Sequence, residues 1–482
     1  MINFRIIARA FSLLLIVEGL FMLVSAAVSF LYHENAAISF CFSALIAIVT
    51  GVLVFTPIRN EEKIYGNKEG YIIVTGIWLV FSLFGTLPFL LSGSIKSFGD
   101  AFFESMSGFT TTGGTILTNI ESMPHGILFW RSLTQWLGGI GIIFISLSVI
   151  PVFKSFNIQI AAIEFSGQPT DKINPRIKGA AKRLVAIYFL LTLSEIILLI
   201  LGGMPFFDAI CHSFSTLSTG GFSTRNNGMA AFSSPYIMII VTVFMFIAGT
   251  NMTMIYFGLK GNFKKIIGNN EFVFYSIICF VFVALVSSIL YFKSGFSLSR
   301  ALLDGAFQVI SIITTTGFYT QDHNLWGNII LIILFILMFT GGTAGSTSGG
   351  IKIVRLLLIT KNSRQEFKRL IHPAAYIPVH LDKRVIPQTT IYNLLVFITL
   401  YFFIMCFGAF VISFMGFDII TSFSTSASML GNIGPGIGTF GPFTNYSALP
   451  MVGKWFLSLM MLLGRLELLT VMILFSRNFY RH

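Results

Sequence analysis

Hydroxyl side chains gather in front of a glycine at two distant places in an otherwise apolar chain. The sequence reads SGFTTTG at residues 107–113 and SIITTTG at residues 311–317. Threonine hydroxyls and backbone carbonyls beside a glycine are oxygen donors, and rings of such oxygens can replace the hydration shell of a monovalent cation. The pattern therefore indicates cation binding rather than covalent chemistry.

Residue types that usually form enzyme sites or metal centres are scattered. The seven histidines are dispersed, and no CxxC or CxxH spacing occurs among the four cysteines, which are Cys41, Cys211, Cys279 and Cys406. The apolar stretches contain no cluster of His, Cys or carboxylates, so a membrane enzyme, a metal site and a disulfide framework are all disfavoured. We expect no covalently bound cofactor and no enzymatic activity.

The hydroxyl–glycine pattern belongs to a longer internal repeat. Residues 100–114, DAFFESMSGFTTTGG, align without gaps with residues 208–222 and 304–318, at shifts of 108 and 204. A weaker fourth copy, SASMLGNIGPG at 426–436, aligns at a shift of 321, with Asp418 three residues out of register. The aligned glycines are Gly113, Gly221, Gly317 and Gly434. A period of about a hundred residues predicts four equivalent structural units.

These units must be positioned by membrane-spanning helices. Of the 482 residues, 55% are hydrophobic and 10% are charged, and the mean hydropathy is +0.84, which indicates a polytopic membrane protein. Apolar runs of roughly 20 residues predict ten spans. They lie near 8–31, 37–56, 70–92, 126–151, 181–202, 235–259, 271–292, 326–358, 388–414 and 450–475. The 326–358 run is too long and is interrupted.

Basic residues fall mainly on one side of these spans. If the ten-span model holds, 24 of the 31 Lys and Arg residues share a side, so that side is predicted to be cytoplasmic, with both termini inside. A formal charge of +12 is also compatible with nucleic-acid binding, but short charged loops flanking helices are better explained by membrane topology. We expect membrane lipid, and no nucleic acid, around this chain.

Four segments on the other side are too short to cross the membrane. They lie near 97–120, 205–229, 298–323 and 417–445, and each begins half-apolar before turning into Thr, Ser, Asn and Gly. Non-helical backbone at membrane depth persists only where it lines water or is buried in protein. We therefore predict four short helices, each capped at or near an Asp, whose carbonyl ends face a central ion filter. Close helix packing by small residues is the structural alternative.

Two further features lie on the cytoplasmic side of the predicted filter. GGTAGSTSGG at 341–350 breaks a span inside the membrane and suits a movable plug, held closed by only a few hydrogen bonds. A passive kink is the alternative, and a P-loop fails because Ile351 stands where Lys is required. The plug residues are Gly341, Gly342, Thr343, Ala344, Gly345, Ser346, Thr347, Ser348, Gly349 and Gly350.

Arg465 is a charged residue within the last predicted span. Such residues face a bundle interior or a water cavity, so Arg465 is either a barrier to free cation flux or part of a structural ion pair. Glu467 lies two positions on and does not share its face. Arg131 and Glu104, near the outer side of the first unit, are predicted to be structural.

The chain resembles the Trk/Ktr/HKT superfamily of potassium transporters over essentially its whole length, as a TrkH-type membrane subunit. The stretches that carry the resemblance are FWRSLTQWLGGIGII (129–143), STGGFSTRN (218–226), TTTGFYTQD (314–322), GNIGPGIG (431–438) and LLGRLELLTV (462–471). The helix pair at 8–56 and the GPG of the fourth copy suit the Trk branch better than the Ktr branch. The chain lacks TVGYG, so its filter should be less regular than that of a symmetric channel.

The resemblance implies an all-α fold of four membrane–pore–membrane repeats in pseudo-fourfold array, preceded by a helix pair. The predicted bounds are 1–69 for that pair and 70–155, 175–265, 270–383 and 384–482 for the four repeats. The resemblance also implies a homodimer in the bacterial inner membrane, regulated by a TrkA-type cytosolic nucleotide-binding ring, with 341–350 as the gating loop and Arg465 just below the filter. Na-coupled Ktr-type transport is an alternative, and a secondary solute symporter would require inverted repeats.

We accordingly expect potassium uptake through a filter drawn from all four copies. The filter residues are Thr111, Thr112, Gly113, Thr219, Gly220, Gly221, Thr315, Thr316, Gly317, Asn432, Ile433 and Gly434. K⁺ itself is expected at Thr111, Gly113, Thr219, Gly221, Thr315, Gly317, Asn432 and Gly434. The transported ion is then the only ligand.

Overall fold

A computed structural model describes residues 2–58, 66–149, 174–375, 377–382 and 384–480. Six of the basic residues used for the topology prediction lie outside this part, as do residues 150–151 of the fourth predicted span. They are Arg59, Lys63, Lys154, Lys172, Lys383 and Arg481. The described chain begins with two long apolar helices, α1 (Phe4–Leu31) and α2 (Ala36–Phe55), that pack against each other.

Four repeats of the same order follow: a long helix, a short helix, an irregular loop and a second helix. Repeat 1 contains α3 (Asn67–Gly85), α4 (Leu87–Leu91), α5 (Phe98–Phe109) and α6 (His125–Val149). Repeat 2 contains α7 (Asn174–Leu201), α8 (Phe206–Leu217), α9 (Pro235–Ala248), α10 (Met252–Leu259) and α11 (Phe263–Ile267).

The other two repeats keep this order and add a small hairpin between them. Repeat 3 contains α12 (Asn270–Ser294), α13 (Leu298–Ile313), α14 (Asn328–Leu337) and α15 (Ile353–Ile371). The antiparallel strands β1 (Val379–Leu381) and β2 (Arg384–Ile386) follow. Repeat 4 contains α16 (Gln388–Phe414), α17 (Ile419–Gly431), α18 (Met451–Arg465), α19 (Leu469–Met472) and α20 (Arg477–Tyr480). The predicted helical polytopic architecture is confirmed, with the hairpin as an unpredicted addition.

Long apolar helices supply the expected spans. In the described part of the chain, six helices are long and apolar enough to cross a membrane, or eight if each of two bent helix pairs is one span. Helix α6 and the interrupted stretch from α14 to α15 correspond to the remaining two of the ten predicted spans. Apolar side chains such as Phe280 and Phe292 are mostly exposed on these long helices, as expected for surfaces that face lipid.

Two predicted spans are not single helices. The stretch 235–259 bends by 111° between α9 and α10, and the stretch 450–475 bends by 109° between α18 and α19. At the first break, the Gly249 carbonyl accepts the Thr343 N–H and the Asn251 amide donates to the Ala344 carbonyl, so both residues bind the 341–350 loop. At the second break, Glu467 and Leu468 adopt φ of 57° and 53°, which end an α-helix. The prediction of one continuous helix at each place was wrong.

The short helices α5, α8, α13 and α17 fill the centre of the molecule, and their last turns are buried. The predicted Asp caps are correct only in α17, where the Asp418 carboxylate accepts the N–H of Thr421 at 3.0 Å. Ser97, Pro205 and Ser297 occupy the cap positions of the other three helices. The remaining aligned Asp residues lie within these helices and contact side chains elsewhere: Asp100 pairs with Lys454 at 2.7 Å, and the partners of Asp208 and Asp304 are given below.

Candidate functional site

The C-terminal end of each short helix runs into a loop that we call glycine loop 1 (110–114), 2 (218–222), 3 (314–318) and 4 (431–435). One backbone hydrogen bond recurs in all four. The aligned serine carbonyl accepts the N–H of the residue before the aligned glycine, at 2.8–2.9 Å. The pairs are Thr112 with Ser107, Gly220 with Ser215, Thr316 with Ser311 and Ile433 with Ser428. The weak fourth copy is therefore a full structural equivalent of the other three.

Each glycine loop alternates the hand of its backbone. The aligned glycines adopt φ of 82°, 78°, 78° and 103° at Gly113, Gly221, Gly317 and Gly434. Two residues earlier, non-glycine residues also adopt positive φ, of 53–57°, at Thr111, Thr219, Thr315 and Asn432. A left-handed residue with a Cβ costs roughly 1–2 kcal/mol, so each loop stores strain of the kind found at functional sites. The left-handed threonines were not predicted from the sequence.

The four loops close into a ring in chain order. A Cβ built on Gly113 would lie 2.1 Å from the carbonyl oxygen of Gly220, and one on Gly221 would lie 2.0 Å from that of Thr316. The same construction puts Gly317 at 1.8 Å from the Ile433 oxygen and Gly434 at 2.6 Å from the Thr112 oxygen. Each glycine therefore faces a carbonyl of the next loop, and the fourth loop returns to the first. Only glycine fits at these four contacts without moving the neighbouring backbone.

Most threonine hydroxyls in the ring bond to the protein. Thr110 and Thr112 share a hydrogen bond of 2.8 Å, and Thr314 and Thr316 repeat it in glycine loop 3. The Asn432 amide donates to the Thr112 hydroxyl at 2.9 Å and so joins glycine loops 4 and 1. Thus these side chains support the loops, while the backbone carbonyls stay the main candidate ligands.

Gln135 on α6 is a supporting residue that the sequence analysis missed. Its amide Nε2 donates to the Gly220 carbonyl at 2.6 Å, and its Oε1 accepts the Phe222 N–H at 3.1 Å. The side chain is fully buried and therefore fixes glycine loop 2 from outside the ring. Gln135 lies within the 129–143 stretch that carries the family resemblance, but nothing in that stretch indicated its role, since its partners lie more than eighty positions away.

Buried carboxylates tie the short helices to the chain that leaves the ring. Asp208 accepts the Thr224 hydroxyl at 2.6 Å, and Asp304 accepts the Thr320 hydroxyl at 2.9 Å, each sixteen residues on. In repeat 1 the corresponding tether is the Glu104 carboxylate, which accepts the Ile116 N–H at 2.9 Å. Glu104 also accepts from Arg131 at 2.8 Å, in the structural pair that the sequence analysis predicted.

The 341–350 loop lies against the first residues of the ring. Its Gly349 N–H donates to the Thr315 hydroxyl at 2.7 Å, and its Thr347 hydroxyl donates to the Leu217 carbonyl at 3.0 Å. Nearly all of the loop is buried, and the Ala344 side chain joins an apolar cluster with α15, the hairpin and α16. The expectation of a loop held by a few hydrogen bonds was wrong, because neighbouring backbone carbonyls and side chains bind it along its length.

Arg465 lies beside this loop and is 3% exposed. Its guanidinium donates to the Thr347 carbonyl at 2.8 Å and to the Gly138 carbonyl at 3.2 Å, while its Nε has no partner. Glu467 does not pair with it and instead binds Arg355 on α15. The buried positive charge of Arg465 is thus held by carbonyl dipoles and is not neutralised by the nearest acidic residue.

Two cavities flank the ring. One is lined by all four aligned glycines together with Thr115 and Tyr319. The other is lined by the 341–350 loop and by Gly464, Arg465 and Glu467. The ring contributes its four aligned glycines to the first cavity, and the second cavity includes Gly349, whose N–H donates to the Thr315 hydroxyl of the ring.

These features define a class of protein: a helical, multi-pass membrane protein in which four repeats surround one ring of backbone carbonyls. A family model named TrkH and described as "Cation transport protein" matches residues 38–269 and 266–480. The chain belongs to this TrkH family of cation transport proteins, which is a family of transporters and not of enzymes. The resemblance predicted from the sequence is confirmed.

Individual relatives cover the whole chain. The Trk system potassium uptake protein TrkH of Salmonella typhimurium is 36% identical over 483 residues, which cover 99% of this chain and 100% of that protein. The Trk system potassium uptake protein TrkG of Escherichia coli is 30% identical over 480 residues, 99% of each chain. The crystal structure of the potassium transporter TrkH from Vibrio parahaemolyticus matches with a TM-score of 0.91 at 34% identity, covering 100% of both chains.

Proposed function

We propose that this protein takes up potassium ions across the cytoplasmic membrane of a bacterium, with the ring of glycine loops as its ion filter. The observation that carries the proposal is the closed order of the ring, in which each aligned glycine touches a carbonyl of the next loop. Relatives that match over their full length are named potassium uptake proteins. The membrane potential supplies about 2.3 kcal/mol per charge per 100 mV, so uptake needs no chemical step in this chain.

The electrostatics of the ring favour a cation. All four short helices end at the ring, and their C-terminal ends carry partial negative charge. Because left-handed residues alternate with other residues along each glycine loop, successive carbonyls of the loop turn toward the same side. There they can replace the water around K⁺. The proposed K⁺ ligands are carbonyl oxygens of Thr111, Gly113, Thr219, Gly221, Thr315, Gly317, Asn432 and Gly434.

The proposed gate lies on the opposite side of the ring from the glycine-lined cavity. The 341–350 loop and the uncompensated charge of Arg465 occupy the route that a cation would take after leaving Thr315 and Asn432. A positive charge in this position repels cations, and a buried loop fills the path. Opening would require the loop to leave its bonds to Leu217, Gly249 and Thr315 together.

The proposed assembly follows the predicted topology. Both termini lie in the cytoplasm, two copies form a homodimer, and a TrkA-type nucleotide-binding ring docks on the basic segment 364–384. Within that segment, Arg364 and Lys368 are exposed, whereas Arg369 is partly buried and donates to the Ile377 carbonyl. The proposed bounds are 1–69 for the helix pair and 70–155, 175–265, 270–383 and 384–482 for the repeats; residues 1, 59–65, 150–155, 376, 383 and 481–482 of these ranges lie outside the described chain.

Ion flux into liposomes tests the proposal. The purified protein should conduct K⁺ and Rb⁺ much faster than Na⁺ or Li⁺. Uptake that requires Na⁺ on the same side would instead favour the Na-coupled alternative, and equal rates for all four ions would overturn the assignment of the ring as a potassium filter. Uptake of an organic solute without K⁺ flux would favour the symporter.

A further inference from the structure

One residue of the 341–350 loop, Ala344, has both its backbone N–H and its backbone carbonyl bonded to side chains. The Ala344 N–H donates to the Glu271 carboxylate at 2.6 Å, and the Ala344 carbonyl accepts from the Asn251 amide at 2.6 Å. All three residues are buried, with exposures of 1% for Ala344, 7% for Glu271 and 5% for Asn251. Glu271 is the only acidic side chain that bonds to this loop in the described part of the chain. At 2.6 Å this is a short hydrogen bond, and it is the polar anchor of the Ala344 N–H.

Glu271 stands in the first turn of α12, and the β-hairpin (379–386) fixes that turn from the other side. The Asp382 carboxylate, in the turn of the hairpin, accepts from the Asn270 N–H at 2.8 Å and from the Asn270 amide at 2.6 Å. It also accepts from the Asn269 amide at 3.2 Å. The two carboxylates therefore connect the start of α12 to both neighbours. Asp382 of the hairpin bonds to Asn269 and Asn270, and Glu271 of α12 bonds to the 341–350 loop.

The hairpin is in turn attached to α15, the helix that follows the loop. The Lys361 ammonium donates to the His380 carbonyl at 3.0 Å, and the Arg369 guanidinium donates to the Ile377 carbonyl at 2.7 Å. The Ala344 methyl group shares an apolar cluster with Val379 and Leu381 of the hairpin. Helix α15, the hairpin, the start of α12 and the loop thus form a closed circuit of contacts.

We propose that Glu271 is a positioning residue of the gate, which couples the hairpin to the 341–350 loop through the Asp382–Asn270 contact and the Ala344 N–H. The inference rests on the proposed function of that loop. In this proposal the hairpin transmits movement: a force on the cytoplasmic end of α15 moves the hairpin, and the start of α12 passes that movement to Ala344. Glu271 touches neither the ring nor the ion path, so it acts only through the loop.

The test is a double-mutant cycle on the full chain in liposomes, with Rb⁺ uptake as readout and no partner added. Glu271→Ala should raise uptake by at least about fivefold, the low end of coupling between sites. Asp382→Ala should raise it less, because Glu271 stays bonded to Ala344. The double variant should conduct no faster than Glu271→Ala alone, since both changes break one circuit. Glu121→Gln, at an exposed carboxylate in the 115–124 segment after glycine loop 1, should leave uptake unchanged.

Each other outcome is decisive. Effects of Glu271→Ala and Asp382→Ala that multiply in the double variant would show two independent contacts and overturn the coupling. If Glu271→Ala shows wild-type uptake while deletion of 343–348 raises uptake, the proposed role of Glu271 is overturned and the loop is still the gate. Wild-type uptake on deletion of 343–348 would instead refute the proposed gate itself. Glu271→Gln and Asp382→Asn, which keep the side-chain volume, replace any alanine variant that fails to elute as a folded protein.

Discussion

Gly317 is the position at which the ion-filter proposal makes its sharpest prediction. Its φ is 78°, and a Cβ added there would lie 1.8 Å from the carbonyl oxygen of Ile433 and 3.0 Å from Cδ of Pro435. To reach a contact of 3.0 Å, the Cβ and the Ile433 oxygen must separate by about 1.2 Å, from 1.8 to 3.0 Å. The Gly317→Ala change therefore displaces a carbonyl of glycine loop 4 in addition to straining its own backbone.

The two effects of Gly317→Ala can be separated with a matched glycine. Gly295 has φ of 69°, and a Cβ there would meet no atom within 4 Å. Alanine costs roughly 1–2 kcal/mol of conformational energy at either position. Only Gly317→Ala moves a carbonyl, and a loss of about 1.4 kcal/mol in the preference for K⁺ over Na⁺ would lower selectivity tenfold. We expect at least this loss in Gly317→Ala and wild-type selectivity in Gly295→Ala.

The assay compares K⁺ and Na⁺ flux in liposomes for wild type and both variants, with thermal unfolding measured alongside. A cooperative melting transition in each variant would show that both are folded, and a lower melting temperature of Gly317→Ala would report the added carbonyl displacement. If Gly317→Ala is folded and keeps the wild-type ratio of K⁺ to Na⁺ flux, the carbonyls of the ring do not select the ion. The same reasoning then fails for Gly113, Gly221 and Gly434.

Three other predictions follow from the loop, the basic segment and an outer carboxylate. Arg465→Ala should raise K⁺ flux. Arg465→Lys should raise it less, because lysine keeps the charge but cannot reach both the Thr347 and Gly138 carbonyls. Equal K⁺ flux in wild type and Arg465→Ala would show that Arg465 is not part of the barrier. The double reversal Arg364→Glu and Lys368→Glu should abolish co-purification with a TrkA-type ring, while Lys293→Glu, exposed at the other end of α12, should not; unchanged co-purification would move the docking site elsewhere. Burial raises the pKa of Glu34, but hydrogen bonds from Gly126, His125 and Ser29 outweigh it and lower the pKa below its usual value. The stabilisation by Glu34 is thus present above the pKa that Glu34 has in the unfolded chain, and it is lost as the pH falls through the lowered pKa of the folded protein. Glu34→Gln should therefore reduce the melting temperature at neutral pH, and this difference from wild type should disappear in acid. A difference that does not depend on pH would contradict this.

Periodicity predicted the parts of the site that are repeated and local. Gly113 and its three equivalents were identifiable because they recur at a fixed spacing, and the structure adds that each one lies against a carbonyl of the next loop. The equivalence of the fourth copy was also visible, although Asn432 replaces Thr111 there. Left-handed threonines were not predictable, since the intrinsic preference of threonine opposes that conformation and only the assembled ring enforces it.

Contacts between distant residues account for what the sequence did not reveal. Asp208 reads as a helix cap, yet it bonds to Thr224, which enters the site only after the chain has passed through the ring. The bend at Glu467 lies in LELLT, whose residues all tolerate a helix, so nothing local marks a break. Likewise, the partner of Glu467 is Arg355, more than a hundred residues away.

The likeness among the four repeats ends where the ring ends. Helix α6 continues without a break to Val149, the chain turns sharply after α9 and after α18, and α14 is followed by the stretch 338–352, which contains the 341–350 loop. A pore built from four identical chains closes when all four lining helices move in concert. Here the repeats share one covalent chain and differ beyond the ring, so in the proposed gating a single arm obstructs the passage while the other three form a fixed wall. Under that proposal, ion choice is set by fourfold geometry, and opening is the movement of one element that one attached regulator can control.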